Sequence, residues 1–237
     1  MMPVAASSAI VQSLSRPNEK ISAALPLSEL GDSKFLVMAT RLGSIKKVDI
    51  TTIKNVRRSG LIAIRLKNND DLKWVKPSTG KYDVTLVTAR GQSIRFKEKQ
   101  VRPMGRGAAG VRAIRLKKDD YVVGMDVIDE ALFGAGQLLI VMARGFGKRT
   151  WLKQYKVQSR GGSGIKTAKV TNKTGNLITS MVVNAKAMEE DLIIISTRGQ
   201  VIRLPLKSIS VLGRATQGVR LMKFKEEGDE VASITYV

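Results

Sequence analysis

Residues 192–207 read LIIISTRGQVIRLPLK, and the same design occurs three more times: FLVMATRLGSIKKVDI (35–50), VTLVTARGQSIRFKEK (84–99) and LLIVMARGFGKRTWLK (138–153). Each copy is an apolar run, a small residue, a turn holding Arg and Gly, and then a strand with basic residues. The turn glycines Gly43, Gly91, Gly145 and Gly199 are 48, 54 and 54 residues apart. Four residues past each stands a cation: Lys47, Arg95, Arg149 and Arg203. The apolar runs are nearly continuous (LIIIS, LLIVM), which predicts a first strand covered on both faces.

The second half of each unit repeats as well. NVRRSGLIAIRL (55–66), PMGRGAAGVRAIRL (103–116), VQSRGGSGIKTAKV (157–170) and VLGRATQGVRLMKF (211–224) align on Gly60, Gly110, Gly164 and Gly218. The two glycines of a unit are 19 residues apart in the last three units and 17 in the first. Arg106, Arg160 and Arg214 each stand four residues before the second glycine, and the shorter first unit offers Arg57 and Arg58 instead. A fourth strand then closes each unit: LKWVKP (72–77), YVVGMDVI (121–128), NLITSMVV (176–183) and EVASITYV (230–237). Short strands at a period near 50 residues, separated by turn residues, predict an all-β propeller or a similar radial array. The glycines suit turns that need φ > 0. KISAALPLSEL (20–30) reads as the closing strand of a unit whose other strands are missing. The expectation is four complete four-stranded blades at about 35–80, 84–130, 138–184 and 192–237, one orphan strand, and an open arc, after a disordered leader or linker over residues 1–18.

Composition narrows the function. The chain has 237 residues, 43% of them hydrophobic, enough for a core. It has no cysteine and no histidine. Disulfides, thiolate metal sites and Ser-His or Cys-His nucleophile pairs are therefore excluded. No apolar run reaches the ~20 residues of a bilayer span, and the N-terminus lacks the form of a secretion signal. Lys plus Arg number 41 against 20 Asp plus Glu, a net charge of +21. Such a balance calls for a polyanion, nucleic acid first and an anionic membrane surface second.

The charge is also patterned. Asp70, Asp71, Asp119, Asp120, Glu226, Glu227, Asp229 and Glu230 fall between the third and fourth strands, whereas the Arg-Gly loops fall between the second and third. In a simple meander those loops lie at opposite strand ends, gathering the basic loops on one rim. Between Glu130 and Glu189 the chain has no acid and ten Lys or Arg, including Lys148, Lys153, Lys156, Lys166 and Lys169. Cations along a curved rim suit bent duplex DNA: each neutralised phosphate releases counterions, and bending a short site costs roughly 1–6 kcal/mol. Only 5% of residues are aromatic, too few for a base-stacking platform, so duplex is preferred to single strand, with little sequence preference. The candidate DNA-binding residues are Lys47, Arg57, Arg58, Arg95, Arg106, Arg112, Arg149, Lys156, Arg160, Lys166, Arg203, Arg214 and Arg220.

Plainer roles fit other residues. Arg41, Arg90, Arg144 and Arg198, beside the first glycines, are expected to pair with a nearby acid or carbonyl, and Trp74 and Trp151 to pack. GFGKRT (145–150) fails as a phosphate-binding loop, because Arg149 stands where Ser or Thr belongs. GAGQLL (134–139) lacks the third glycine of a dinucleotide fingerprint. Nothing points to a catalytic residue, a cofactor, a metal or a small-molecule ligand.

The runs FLVMATRLGSIKKVDIT, QSIRFKEKQVRPMGRGAAGVRAIRL, RGFGKRTWLKQYKVQSRGGSGIK and SISVLGRATQGVRLMKF resemble the C-terminal domain of the bacterial DNA gyrase A protein over about residues 20–237. The related domain of topoisomerase IV is the nearest competitor. The resemblance implies a β-pinwheel over residues 19–237, a propeller-like disc whose blades exchange strands, with a basic rim that wraps duplex DNA. It further implies a non-catalytic part of an ATP-dependent type II topoisomerase, cytoplasmic and nucleoid-associated, partnered by a breakage-reunion domain and a separate ATPase subunit. The family usually has six blades, and its Q-[RK]-R-G-G-[RK]-G box belongs to the first. Gln158, Arg160, Gly161, Gly162 and Gly164 match that box in a later blade, whereas Ser159 and Ser163 replace its cations. The alternative reading is a protein-interaction propeller with an acidic partner.

Overall fold

The computed structural model describes residues 30–53 and 61–237. The expected leader, nearly all of the expected orphan strand, and Arg57 and Arg58 lie outside the described residues. The first unit supplies β1 (Phe35–Thr40), β2 (Ser44–Asp49) and β3 (Leu72–Ser78). The second supplies β4 (Asp83–Thr88), β5 (Gln92–Lys97), β6 (Val111–Arg112) and β7 (Val122–Ile128). The third supplies β8 (Gln137–Met142), β9 (Phe146–Trp151), β10 (Ile165–Lys166) and β11 (Leu177–Val183). The fourth supplies β12 (Asp191–Ser196), β13 (Val201–Pro205), β14 (Val219–Arg220) and β15 (Val231–Tyr236).

The expected meander does not occur. The third strand of a unit leaves its own sheet and pairs with the second strand of the unit before it. The sheet orders are β3-β1-β2-β6, β7-β4-β5-β10, β11-β8-β9-β14 and β15-β12-β13. In the first exchange Arg112 lies opposite Ser44 and Val111 opposite Ile45. The fourth sheet has three strands among the described residues. The meander-based separation of acidic turns from basic loops therefore falls, since the segments after strand two belong to a neighbouring blade.

Glycine makes the exchange possible. Gly110, Gly164 and Gly218 precede the exchanged strands with φ of +81°, +75° and +81°. A Cβ there would stand 2.5 Å from the Ile45 carbonyl oxygen, 2.6 Å from that of Ser93 and 2.6 Å from that of Gly147. Any other residue meets both backbone strain and a clash with the receiving strand.

The core is a stack of apolar layers between successive sheets. Val37 and Ile45 meet Leu86 and Phe96; Val87 meets Leu138 and Ile140; Leu139 and Val141 meet Leu192 and Ile194. Covering on both faces holds for β1, β4 and β8, in which every residue after Phe35 is buried. It fails for β12, the LIIIS strand, where buried and half-buried residues alternate because one face packs on the third sheet. The two tryptophans are partly buried, Trp74 against the first apolar layer.

Candidate nucleic-acid interface

The loops that follow β9 and β13 carry the chain onto the preceding blade, and each is rooted in the same way, on β5 and β9. The Gln158 amide donates to the Arg95 carbonyl at 2.7 Å, and the Leu212 amide to the Arg149 carbonyl at 2.8 Å. Five residues past the second glycine of a unit, the chain takes up the next loop. There the Arg65, Arg115 and Lys169 amides donate to the carbonyls of Ala108, Gly162 and Thr216. The loop arginines close the same seam with side chains. Arg160 Nη1 donates to the Arg112 carbonyl at 2.5 Å, and Arg214 Nη1 to the Lys166 carbonyl at 2.9 Å. The basic loops thus form one continuous rim, each resting on the last.

The expected contact residues divide sharply. Arg106, Arg112, Lys156, Lys166, Arg203 and Arg220 are exposed, and Arg160 and Arg214 half-buried. Lys47, Arg95 and Arg149 are buried at 4%, 6% and 6% exposure, which corrects their reading as phosphate contacts. Their charge is taken up inside the fold. Arg95 pairs with the fully buried Asp83 at 2.8 Å, stacks on Phe133, and donates to the Tyr155 carbonyl of the next blade at 3.0 Å. Arg149 donates to the carbonyls of Lys207 and Ile209, also in the next blade. Burial lowers its pKa. Lys47 pairs with the buried Glu98 at 3.2 Å. These three cations are clamps between successive blades. Arg203 holds the same position, but its side chain is 68% exposed and pairs with Asp191 in its own sheet.

The acids are also engaged. Asp70, Asp120 and Asp229 are buried and accept from the amides of Leu42, Arg90 and Arg198, capping the first turn of a blade. Thr174 takes this place in the third unit, where its carbonyl accepts from the Arg144 amide. The turn arginines mostly follow the plain reading: Arg90 lies 3.9 Å from Asp119, Arg198 2.5 Å from Glu226, and Arg41 stacks on Tyr121.

Two sets of residues lie outside the candidate contacts, although Lys148 and Lys169 belong to the basic stretch. Arg65, Arg115, Lys169 and Lys223, five residues past the second glycine in all four units, are exposed on the rim. Their signal was in the repeat. Lys46 and Lys148, three past the first glycine, are fully buried beneath the basic loops. Lys46 Nζ donates to the carbonyls of Ala63 at 2.8 Å, Ala108 at 3.0 Å and Arg106. Lys148 Nζ donates to the carbonyls of Gly213 and Arg214, both at 2.6 Å, and to the Thr216 hydroxyl at 3.0 Å. Burial lowers the pKa of both; that of Lys148 falls to about 8, with the Arg214 charge adding to the effect.

Among the described residues no cluster of three or more Asp or Glu could hold a metal ion, and no helix is long and apolar enough to cross a membrane.

The four repeats at residues 34–79, 82–129, 137–184 and 190–237 match the model of the DNA gyrase C-terminal domain, beta-propeller. The DNA gyrase A protein of Staphylococcus epidermidis is 39% identical over 221 residues, 93% of this chain and 24% of the relative. Its counterpart in Staphylococcus aureus is 38% identical over 211 residues, 89% of this chain and 23% of the relative. The chain thus spans about a quarter of the length of these curated relatives. In fold it is similar to the C-terminal domain of DNA topoisomerase IV (TM-score 0.82, 24% identity, 93% of this chain and 67% of that one). It is likewise similar to a DNA gyrase A C-terminal domain (TM-score 0.74, 24% identity, 87% and 67% covered). Four repeats, exchanged strands and a basic rim agree with the sequence match: the chain belongs to the DNA gyrase C-terminal domain family.

Proposed function

We propose that this chain binds duplex DNA along its basic rim, without cutting it, as the DNA-bending or wrapping part of a gyrase-type topoisomerase. The supporting observation is the recurrence of exposed cations two and five residues past Gly110, Gly164 and Gly218: Arg112 and Arg115, Lys166 and Lys169, Arg220 and Lys223. Such a row meets the repeating charge of a backbone and reads no bases, so binding is largely independent of sequence. The half-buried Arg160 and Arg214 tie neighbouring loops together and keep part of each guanidinium at the surface. Strand passage and ATP hydrolysis would fall to the breakage-reunion domain and the ATPase subunit, with the assembly acting in the cytoplasm on nucleoid DNA.

Duplex affinity measured across a salt series tests this reading. A steep fall in affinity with salt is expected, and no binding at low salt would overturn it. Charge reversal at Arg106, Arg160 and Arg214 separates it from an acidic protein partner: duplex affinity should fall. Ligation of nicked circles with protein bound then reports any wrap as a linking-number shift.

A further inference from the structure

The buried lysines do more than fill space. A trans peptide sets its C=O and N–H on opposite sides. Where Lys148 draws the Gly213 and Arg214 carbonyls inward, the amides of Arg214 and Ala215 therefore point away from it, out of the fold. Where Lys46 draws in the Arg106 carbonyl, the Gly107 amide points out in the same way. Gly107 and Ala215 occupy equivalent places, one residue after the loop arginine, and both are exposed. Neither amide donates to another described residue. A Cβ at Gly107 would meet nothing within 4 Å, so the approach is open.

The loop over 157–164 is built otherwise. Ile94 replaces the lysine, and its methyl end lies 3.8 Å from where a Gly162 Cβ would be. Gln100 latches this loop from outside, accepting from the Arg160 amide at 2.9 Å. The Gly161 amide, equivalent to those of Gly107 and Ala215, donates to the Ala113 carbonyl at 2.7 Å. The two amides around the loop arginine are thus used within the fold.

We propose that the outward amides of Gly107 and Ala215, each oriented by the lysine beneath it and flanked by a loop arginine, are two phosphate-binding subsites, and that the loop over 157–164 lacks one. Lys46 and Lys148 are positioning residues: they touch no phosphate, but turn the acceptors inward so that only donors face an anion. Outward amides beside a cation are a recurrent anion cradle. The ligand is a phosphate group. Its assignment to a nucleic-acid backbone rests on the proposed duplex binding, but the subsites themselves do not.

Amide NMR of the full chain, titrated first with inorganic phosphate and then with a short duplex, tests this. Phosphate should shift the Gly107 and Ala215 signals and leave Gly161 in place. Lys148→Met should abolish the Ala215 response and keep that of Gly107, and Lys46→Met should do the reverse. A Gly161 response equal to the other two overturns the proposal, as does an Ala215 response that survives in Lys148→Met. If either variant fails to fold, the contrast among the three wild-type amides decides. Response to phosphate without any response to duplex would keep the subsites and overturn the duplex reading.

Discussion

The loops over 157–164 and 211–218 begin from the same place and end differently. Both are rooted on an arginine that clamps the next blade, Arg95 for the first and Arg149 for the second. Both end on a positive-φ glycine pressed against the receiving strand. Between root and end, the first is latched by Gln100 over an apolar Ile94, and the second is held from below by the ammonium of Lys148. The contrast separates two uses of positive charge that composition cannot distinguish. Cations at the root act on carbonyls inside the protein, while those two and five residues past the glycine face solvent. The loop most like the family's box is also the one whose Arg160 and Gly161 amides are already spent.

The largest effect is expected at the roots. Arg95→Met leaves the fully buried Asp83 without its shortest ion pair, with only Lys97 at 3.1 Å beside it. Breaking a buried pair in this way costs about 3–5 kcal/mol. Arg203→Met, at the same repeat position but exposed, should cost less than about 1 kcal/mol. Urea unfolding of the two variants checks the difference, and equal losses would remove the distinction between clamp and surface cation.

A smaller effect is expected at the latch. Gln100→Ala removes the acceptor of the Arg160 amide and should cost about 1 kcal/mol. It should leave the 211–218 loop unchanged and give the Arg160 amide a phosphate response it lacks in the wild type. Hydrogen exchange and amide NMR read both outcomes.

The smallest effect is a pH dependence confined to one loop. Lys148 titrates at about 8 in the folded chain, below its ordinary value of 10.5, with Arg214 as its charged neighbour; Tyr155 feels the same Arg214 charge. Tyr155 does not compete in this range, because burial raises its pKa above 10.0. Between about 8 and 10 the unfolded state binds more protons at Lys148, so this group makes stability rise with pH. The loop responds in the opposite sense: above pH 8 the amine has one proton fewer for its three acceptors. From pH 7 to 9 the phosphate response of Ala215 should weaken while the Arg160 and Gly161 signals stay put, and Lys148→Met should lose both trends.

Much of this architecture was legible in the sequence. The recurring glycines marked the turns, and the continuous apolar runs marked the central strands. Strand exchange was not legible from the residues alone. The exchanged strands are two residues long, and their partners lie more than 60 residues away, as Ser44 does from Arg112. The clamps were misread for a related reason. A basic residue after a turn looks like a surface contact until the next blade supplies the carbonyls that bury it. The difference between Lys46 and Lys148 on one side and Ile94 and Ile202 on the other was present in the repeat. It acquired meaning only when the loops above those positions were in place.

The central claim, that exposed rim cations bind DNA while buried ones hold the blades, is tested most directly by combining Arg112→Gln, Lys166→Gln and Arg220→Gln. All three residues are exposed on the exchanged strands. On duplex DNA the slope of log affinity against log salt should fall by about 0.9 for each phosphate no longer neutralised, close to 3 in all, with the unfolding midpoint unchanged. An unchanged slope in a folded triple variant would contradict the account.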